Sequence, residues 1–131
     1  MTRTGLARAE RVLLDSVILI DHLNGIATAS SYLAEVKESA SISVITRVEV
    51  LTGGSEDDLP VVTRLLDRFP LMGIDRQAAD LAARLRRRHR WSVTDALQAA
   101  LAQLQGLKLA TRNTRDFPPR KHRFVTVPYS I

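Results

Sequence analysis

Short runs of branched, apolar residues alternate along this chain with stretches whose apolar residues recur at three- and four-residue steps. That alternation leaves few folds open. Arg11-Val-Leu-Leu-Asp15, Ser41-Ile-Ser-Val-Ile45, Pro70-Leu-Met-Gly-Ile74, Leu107-Lys-Leu-Ala110 and Phe124-Val-Thr-Val127 have the length and composition of strands. Between them lie helical stripes. One follows Ser16, a plausible N-cap, and stops at Asn24-Gly25. Ile26, Ala29, Tyr32, Leu33 and Val36 make the next, and Thr46 starts another that Gly53-Gly54 ends. Leu59, Val62, Leu65, Leu66 and Phe69 line a fourth. Asp75 caps a helix with the stripe Ala78, Leu81, Ala82 and Leu85. Strands alternating with helices predict a mainly parallel sheet of four to five strands covered on both faces, an α/β fold in three layers. The clearest unit runs from Thr94 to Phe117. Leu97, Ala100, Leu101 and Leu104 predict a helix over 94–105, Gly106 suits the left-handed residue after it, and Leu107–Ala110 returns as a strand. Pro118-Pro119 then bars continuation of either element.

With 131 residues the chain is long enough for one domain with a core and too short for two. We read 1–10 as a flexible N-terminal arm, polar and charged rather than a secretory signal, and 11–131 as one domain without repeat or linker. No apolar run approaches the roughly 18 residues of a membrane span, so no membrane partner is expected and the default location is cytoplasmic. There is no cysteine, which excludes disulfides, thiolate zinc sites and a cysteine nucleophile. The net charge of +5 fits a polyanionic partner, nucleic acid above all, or simply a solvated basic surface.

Within this basic chain, four acids fall at particular places. Asp15 ends the first strand, Glu49 lies in the first turn after the second, Asp95 opens its helix and Asp116 follows the fourth strand. All four map to the carboxyl edge of the sheet, where open α/β sheets place their sites. Carboxylate oxygens suit hard cations such as Mg²⁺ or Mn²⁺. Four acids could hold one such ion, or two about 3.5–4 Å apart, to activate a water and stabilise a leaving oxygen in phosphodiester cleavage. Each acid also has a structural explanation. Thr46-x-x-Glu49 and Ser92-x-x-Asp95 match capping boxes. Asp15 could cap the helix after it, and Asp116 could organise a turn with Asn113. Asp75 reads as an N-cap, and Asp21, inside a helix, as a supporting or surface residue.

His22, His89 and His122 lack metal-ligand spacing and read as solvated surface. Arg84, Arg86, Arg87, Arg88 and Arg90 form the main basic run, a phosphate track or a solvated face. Trp91 beside it is a base-stacking candidate or a half-buried anchor. Arg112 and Arg115 flank the acidic edge and could hold a scissile phosphate.

Leu14-Asp15-Ser16-Val17-Ile-Leu-Ile-Asp21, Thr46-x-x-Glu49, Asp95-Ala-Leu-Gln-Ala-Ala and Thr111-Arg-Asn113-Thr-Arg-Asp116-Phe117 together resemble the PIN domain. Within it they are most similar to the VapC-type toxins of bacterial toxin–antitoxin pairs. The resemblance covers roughly residues 11 to 127 and rests on four motifs in order at fitting spacings, no one of which is specific alone. It implies a three-layer α/β/α fold and a Mg²⁺- or Mn²⁺-dependent endoribonuclease acting on RNA. It carries the acidic quartet onto Asp15, Glu49, Asp95 and Asp116, and polar support onto Ser16, Thr111 and Asn113. It implies a homodimer, and a heterotetramer or larger assembly with a small antitoxin whose tail enters the acidic groove. The antitoxin's other end would bind operator DNA. Val17 departs from the Asn or Ser usual in the family, and Gln98 from an aliphatic residue. A catalytically weak RNA-binding or regulatory domain on the same fold is the competing function. A haloacid-dehalogenase-type phosphatase would want a second acid where Val17 stands. A P-loop or dinucleotide enzyme would want a glycine-rich turn after the first strand, and none is present.

Overall fold

The computed structural model describes residues 10–131. The expected N-terminal arm, apart from Glu10, lies outside the described residues. Five strands form one parallel sheet in the order β3-β2-β1-β4-β5. They are β1 (Val12–Leu14), β2 (Ala40–Ser43), β3 (Leu71–Met72), β4 (Lys108–Ala110) and β5 (Val125–Thr126). Helices α1 (Ser16–Leu23) and α2 (Ala27–Val36) connect β1 to β2. Helix α3 (Val44–Gly53), a 3₁₀ turn at Glu56–Asp58 and α4 (Leu59–Leu66) connect β2 to β3, and α5 (Arg76–His89) and α6 (Val93–Gln105) connect β3 to β4.

Period-two alternation in the central strands sorts the core onto two faces. Leu13 and Leu109 pack on one face with Ala82, Leu85, Trp91, Leu101 and Phe117, mostly from α5 and α6. Val12, Leu14, Ile42 and Ala110 pack on the other with Ile18, Leu33, Val50 and Leu66 from the first four helices. Both faces of the sheet are therefore covered, giving the expected three layers. Parallel pairing needs a crossover after every strand, so each strand ends at the same edge. The residues after Leu14, Ser43 and Ala110 are thereby brought to one rim.

Strands β3 and β5 and helix α4 are shorter than expected, and at the starts of α1 and α3 a cap explains the difference. Ser16 is the first residue of α1, not its cap: Asp15 is the N-cap, with extended backbone and a carboxylate that accepts from Ser16 N. Val44 and Ile45, expected in the second strand, belong to α3, because Ser43 caps that helix by accepting from Thr46 N. Glu49 consequently lies in the second turn of α3, not the first, and the Thr46-x-x-Glu49 capping box does not form. Gly106 holds the left-handed conformation expected after α6 (φ 66°, ψ 33°). Arg90 does the same after α5 (φ 59°, ψ 29°), without the glycine that usually marks such a turn.

Candidate functional site

The rim at the carboxyl ends of β1, β2 and β4 gathers the acids. Asp15 is buried, and both its carboxylate oxygens are held. Oδ1 accepts from the Ser16 amide at 2.9 Å, and Oδ2 accepts from Thr111 Oγ1 at 2.7 Å. Ser16 therefore supports Asp15 through its backbone. Thr111 Oγ1 also accepts from Asn113 N at 2.9 Å. Asn113 in turn holds Asp116: its Nδ2 donates to Asp116 Oδ2 at 3.1 Å, and its Oδ1 accepts from Asp116 N at 3.3 Å. One hydrogen-bonded string thus runs from Asp15 through Thr111 and Asn113 to Asp116, tying the end of β1 to the loop after β4. The turn at Asn113 and the placement of Asp116 are one structure, so the two readings of Asp116 do not compete.

Asp95 sits in the first turn of α6. Ser92 caps that helix by accepting from Asp95 N at 3.1 Å. Among the described residues, the reciprocal bond from Ser92 N to the Asp95 carboxylate is not formed, so only half of the capping box is present. Burial first, then the charges of Asp15 and Asp116 and, least, of Glu49, push the Asp95 carboxyl from its ordinary 3.8 up to about 6, against the lowering effect of the Ser92 side chain. Like charges disfavour ionisation only when they are near. Asp95 therefore senses all three other acids of the quartet. The side chains do not form a closed cage: among the described residues, no three acidic or histidine groups are already drawn together as a metal-ligating set.

Behind this rim lies a buried polar network. Gln98, one turn after Asp95 on α6, is 2% exposed. Its Oε1 accepts from Ser43 Oγ at 2.6 Å and its Nε2 donates to Thr46 Oγ1 at 2.7 Å. Thr46 Oγ1 donates on to the Leu14 carbonyl at 3.1 Å. The departure at Gln98 thus connects α6 to the start of α3 and the end of β1, the elements that carry Asp95, Glu49 and Asp15. An amide in the middle of the α6 apolar stripe was its only signal in the sequence, and its partners lie about fifty residues away.

The basic residues divide. Arg112 does not face the rim as a free cation. Its Nε and Nη2 donate to Asp21 Oδ2 and Oδ1 at 2.6 and 2.9 Å, and Tyr129 Oη donates to the same Oδ2 at 2.7 Å. Asp21, expected as a supporting or surface residue, is therefore buried and paired. The Arg112 hydrogen bonds hold its carboxyl below the usual value against the cost of burial, helped by Tyr129. An acid inside the otherwise apolar Val17–Ile20 helix hinted that a partner was needed. Arg115 is exposed beside Asp116. Arg86 donates from Nε to the Trp91 carbonyl at 3.0 Å, which leaves Arg84, Arg87, Arg88 and Arg90 as the exposed members of that run without such a bond among the described residues.

Trp91 is an anchor, closed to base stacking. It is 6% exposed, its ring meets Phe117 edge-on at 4.9 Å, and its Nε1 donates to the Asp116 carbonyl at 2.9 Å. His89 stacks on Trp91 at 4.3 Å and His122 meets it at 5.2 Å. His22 Nδ1 lies 2.7 Å from Ser30 Oγ. None of the three histidines is the solvated surface residue expected of it, because each packs against a neighbour distant in sequence or a turn away.

Fold and rim together define a three-layer α/β protein with a carboxylate cluster at the carboxyl edge of a parallel sheet. The chain belongs to the PIN domain family, whose match spans residues 12–120. It is 37% identical over 114 residues to Ribonuclease VapC10 of Mycobacterium tuberculosis, covering 82% of this chain and 86% of that protein. It is 32% identical to Ribonuclease VapC19 of the same organism, over 81% of this chain and 91% of that one. Among solved structures it superposes on a toxin–antitoxin complex from Klebsiella pneumoniae with a TM-score of 0.83 and 35% identity, covering 92% of this chain and 99% of that chain. No helix among the described residues is long and apolar enough to cross a membrane.

Proposed function

We propose that this protein is a VapC-type endoribonuclease toxin that hydrolyses RNA phosphodiester bonds with Mg²⁺ or Mn²⁺, and that a small antitoxin holds it inactive. The identity to two named ribonucleases and to a chain of a toxin–antitoxin complex supports the class. The observation that carries the mechanism is the Asp95 carboxyl, raised by burial first and then by the nearby charges of Asp15, Asp116 and Glu49.

An all-carboxylate donor set fits a hard divalent cation, and Asp15, Glu49, Asp95 and Asp116 are the residues that would hold it. Such an ion supplies a water of lowered pKa and neutralises charge on the phosphate. The protein's part is orientation. Ser16 N and Thr111 Oγ1 occupy one side of each Asp15 oxygen and leave its other lone pair available. Asn113 does the same for one oxygen of Asp116. Asp95, its carboxyl raised to about 6, is mostly ionised at neutral pH and would offer a carboxylate to the cation. Arg115, exposed next to Asp116, is the cation we assign to the scissile phosphate, since Arg112 is occupied by Asp21. As in the resemblance read from the sequence, we take the working assembly to be a homodimer, joined by the antitoxin into a heterotetramer or larger complex.

The test is cleavage of single-stranded RNA with Mg²⁺, with Mn²⁺ and with EDTA. Wild type is expected to cut only with metal. Asp15→Asn is expected to lose cleavage while keeping its fold, because a neutral amide is a poor ligand for a hard cation. An Asp15→Asn protein cutting at near wild-type rate would place the site elsewhere. The open arrangement of the acids favours a second reading, an RNA-binding domain without catalysis. RNA bound but uncut in either metal would establish it.

A further inference from the structure

A surface cavity of about 290 Å³ opens between α5, α6 and the loop before β5. Arg88, Lys121 and Arg123 line it, together with His89, His122 and Gln103. No acidic residue contributes to its wall. Among the described residues, none of its three fixed cations is in a salt bridge. Lys108 adds a further positive charge behind the loop, its ammonium donating to the Arg123 carbonyl.

Three cations that face one cavity without an anion repel one another, and an isolated solvated surface would spread them apart. Here Arg88, Lys121 and Arg123 stand exposed around two imidazoles that packing fixes in place. His89 is stacked on Trp91, and His122 is held edge-on to both rings, 5.1 Å from His89 and 5.2 Å from Trp91. The effect reaches His122 itself. Burial first, then the charges of His89 and Lys121, make its imidazole harder to protonate than an ordinary histidine. A phosphate in the cavity would compensate every one of these groups, and Gln103 would add a neutral donor. The cavity is also coupled to the acidic rim. The Trp91 ring that supports both imidazoles donates through Nε1 to the carbonyl of Asp116.

We propose that this cavity is a phosphate subsite that grips the RNA backbone on the far side of Trp91 from Asp116, tied to the acidic rim through the Trp91 hydrogen bond to the Asp116 carbonyl. The sequence run Arg86–Arg88 pointed to this region, but only Arg88 reaches the cavity, and Lys121, His122 and Arg123 complete it. The assignment of RNA rests on the ribonuclease reading above; the anion site stands or falls separately.

Two measurements test it on the whole chain. Binding of labelled single-stranded RNA is followed by fluorescence anisotropy at several salt concentrations, in EDTA and in Mg²⁺, with strand integrity checked. Each phosphate neutralised on a single strand adds about 0.7 to the slope of log affinity against log salt. The Lys121→Ala/Arg123→Ala protein is therefore expected to bind more weakly, with a slope shallower by about 0.7 or more. Inorganic phosphate is then titrated against the wild type, following the His89 and His122 ring protons by NMR. Saturable shifts and a raised His122 pKa are expected, both lost in the double variant. Unchanged RNA affinity and slope in the double variant would overturn the RNA subsite even if Asp15→Asn confirms the nuclease. Absence of phosphate-induced shifts, or their persistence in the double variant, would overturn the anion site. A wild type that binds no RNA would fail the ribonuclease reading, while the phosphate titration still decides whether the cavity takes an anion.

Discussion

A carboxylate in the first turn of a helix normally gains from the helix dipole. Asp95 is in that position, yet its proton is held up to about 6 by burial and by Asp15, Asp116 and Glu49. The folded chain therefore binds this proton more tightly than the unfolded chain. The stabilisation it brings is complete below 3.8 and is lost as pH rises through about 6. Asp95→Asn is expected to melt higher than wild type in EDTA at pH 7, with an advantage that shrinks toward pH 4. The loss of dipole interaction, roughly 0.3–1 kcal/mol, works against this. Thermal melts across that pH range decide, and a variant melting lower throughout would make Asp95 a helix cap first. Asp21 has the opposite sign. Its carboxyl is lowered by Arg112, so its contribution is present above the ordinary 3.8 and fades as pH falls through the folded value. Asp21→Asn leaves Arg112 half-buried with no anion and should cost about 1.5–3 kcal/mol, measured by urea unfolding at pH 7. Tyr129→Phe, which removes one of the three hydrogen bonds, should cost about 1 kcal/mol. A neutral result for Asp21→Asn would mean that the pair contributes no net stability.

Between elements, the decisive contact is Gln98. Its amide occupies both Ser43, which caps α3, and Thr46, which reaches back to the last carbonyl of β1. Three elements carrying three of the acids meet there in a site that water does not reach. Gln98→Leu approximates its volume and restores an aliphatic residue, but leaves the Ser43 hydroxyl without an acceptor. We expect a loss of about 1–3 kcal/mol, together with reduced metal-dependent cleavage because α3 and α6 are no longer held in register. Chemical denaturation and a cleavage assay on the same preparation check both. Full stability and full activity in Gln98→Leu would show that packing alone aligns the two helices. The helix pair α5–α6 is joined by only Arg90, Trp91 and Ser92, with Arg90 in the left-handed region. Arg86 closes that turn through the Trp91 carbonyl. The basic run thus contains a residue that shapes the hairpin and others that face solvent, a division its spacing alone did not disclose.

Over the whole molecule, a protein of net charge +5 concentrates negative charge at one rim. A cation bound there would join β1, α3, α6 and the loop after β4, so it should stabilise the fold and not merely the site. At ten times its dissociation constant, Mg²⁺ is expected to add about 1.4 kcal/mol, seen as a higher melting temperature. Asp95→Asn should gain less. A wild type whose melt is indifferent to Mg²⁺ and Mn²⁺ would remove the metal from the proposed function.

The parallel layers were legible in the sequence because they follow from local periodicity. Leu13 and Leu109 against Val12, Leu14 and Ala110, the stripes of α2 and α6, and Gly106 after α6 all act within a few residues. The carboxyl-edge placement of Asp15, Asp95 and Asp116 followed from the same rule, since parallel strands must all end on one side. Glu49 was assigned to the right helix and the wrong turn, because Ser43 and not Thr46 takes the cap. What periodicity could not supply were the partners of buried polar groups. Asp21 with Arg112 and Tyr129, Gln98 with Ser43 and Thr46, and Trp91 with the Asp116 carbonyl are pairs separated by 25 to 108 residues. Such a group must find a hydrogen bond once water is excluded, but which group answers it is decided only when the layers close.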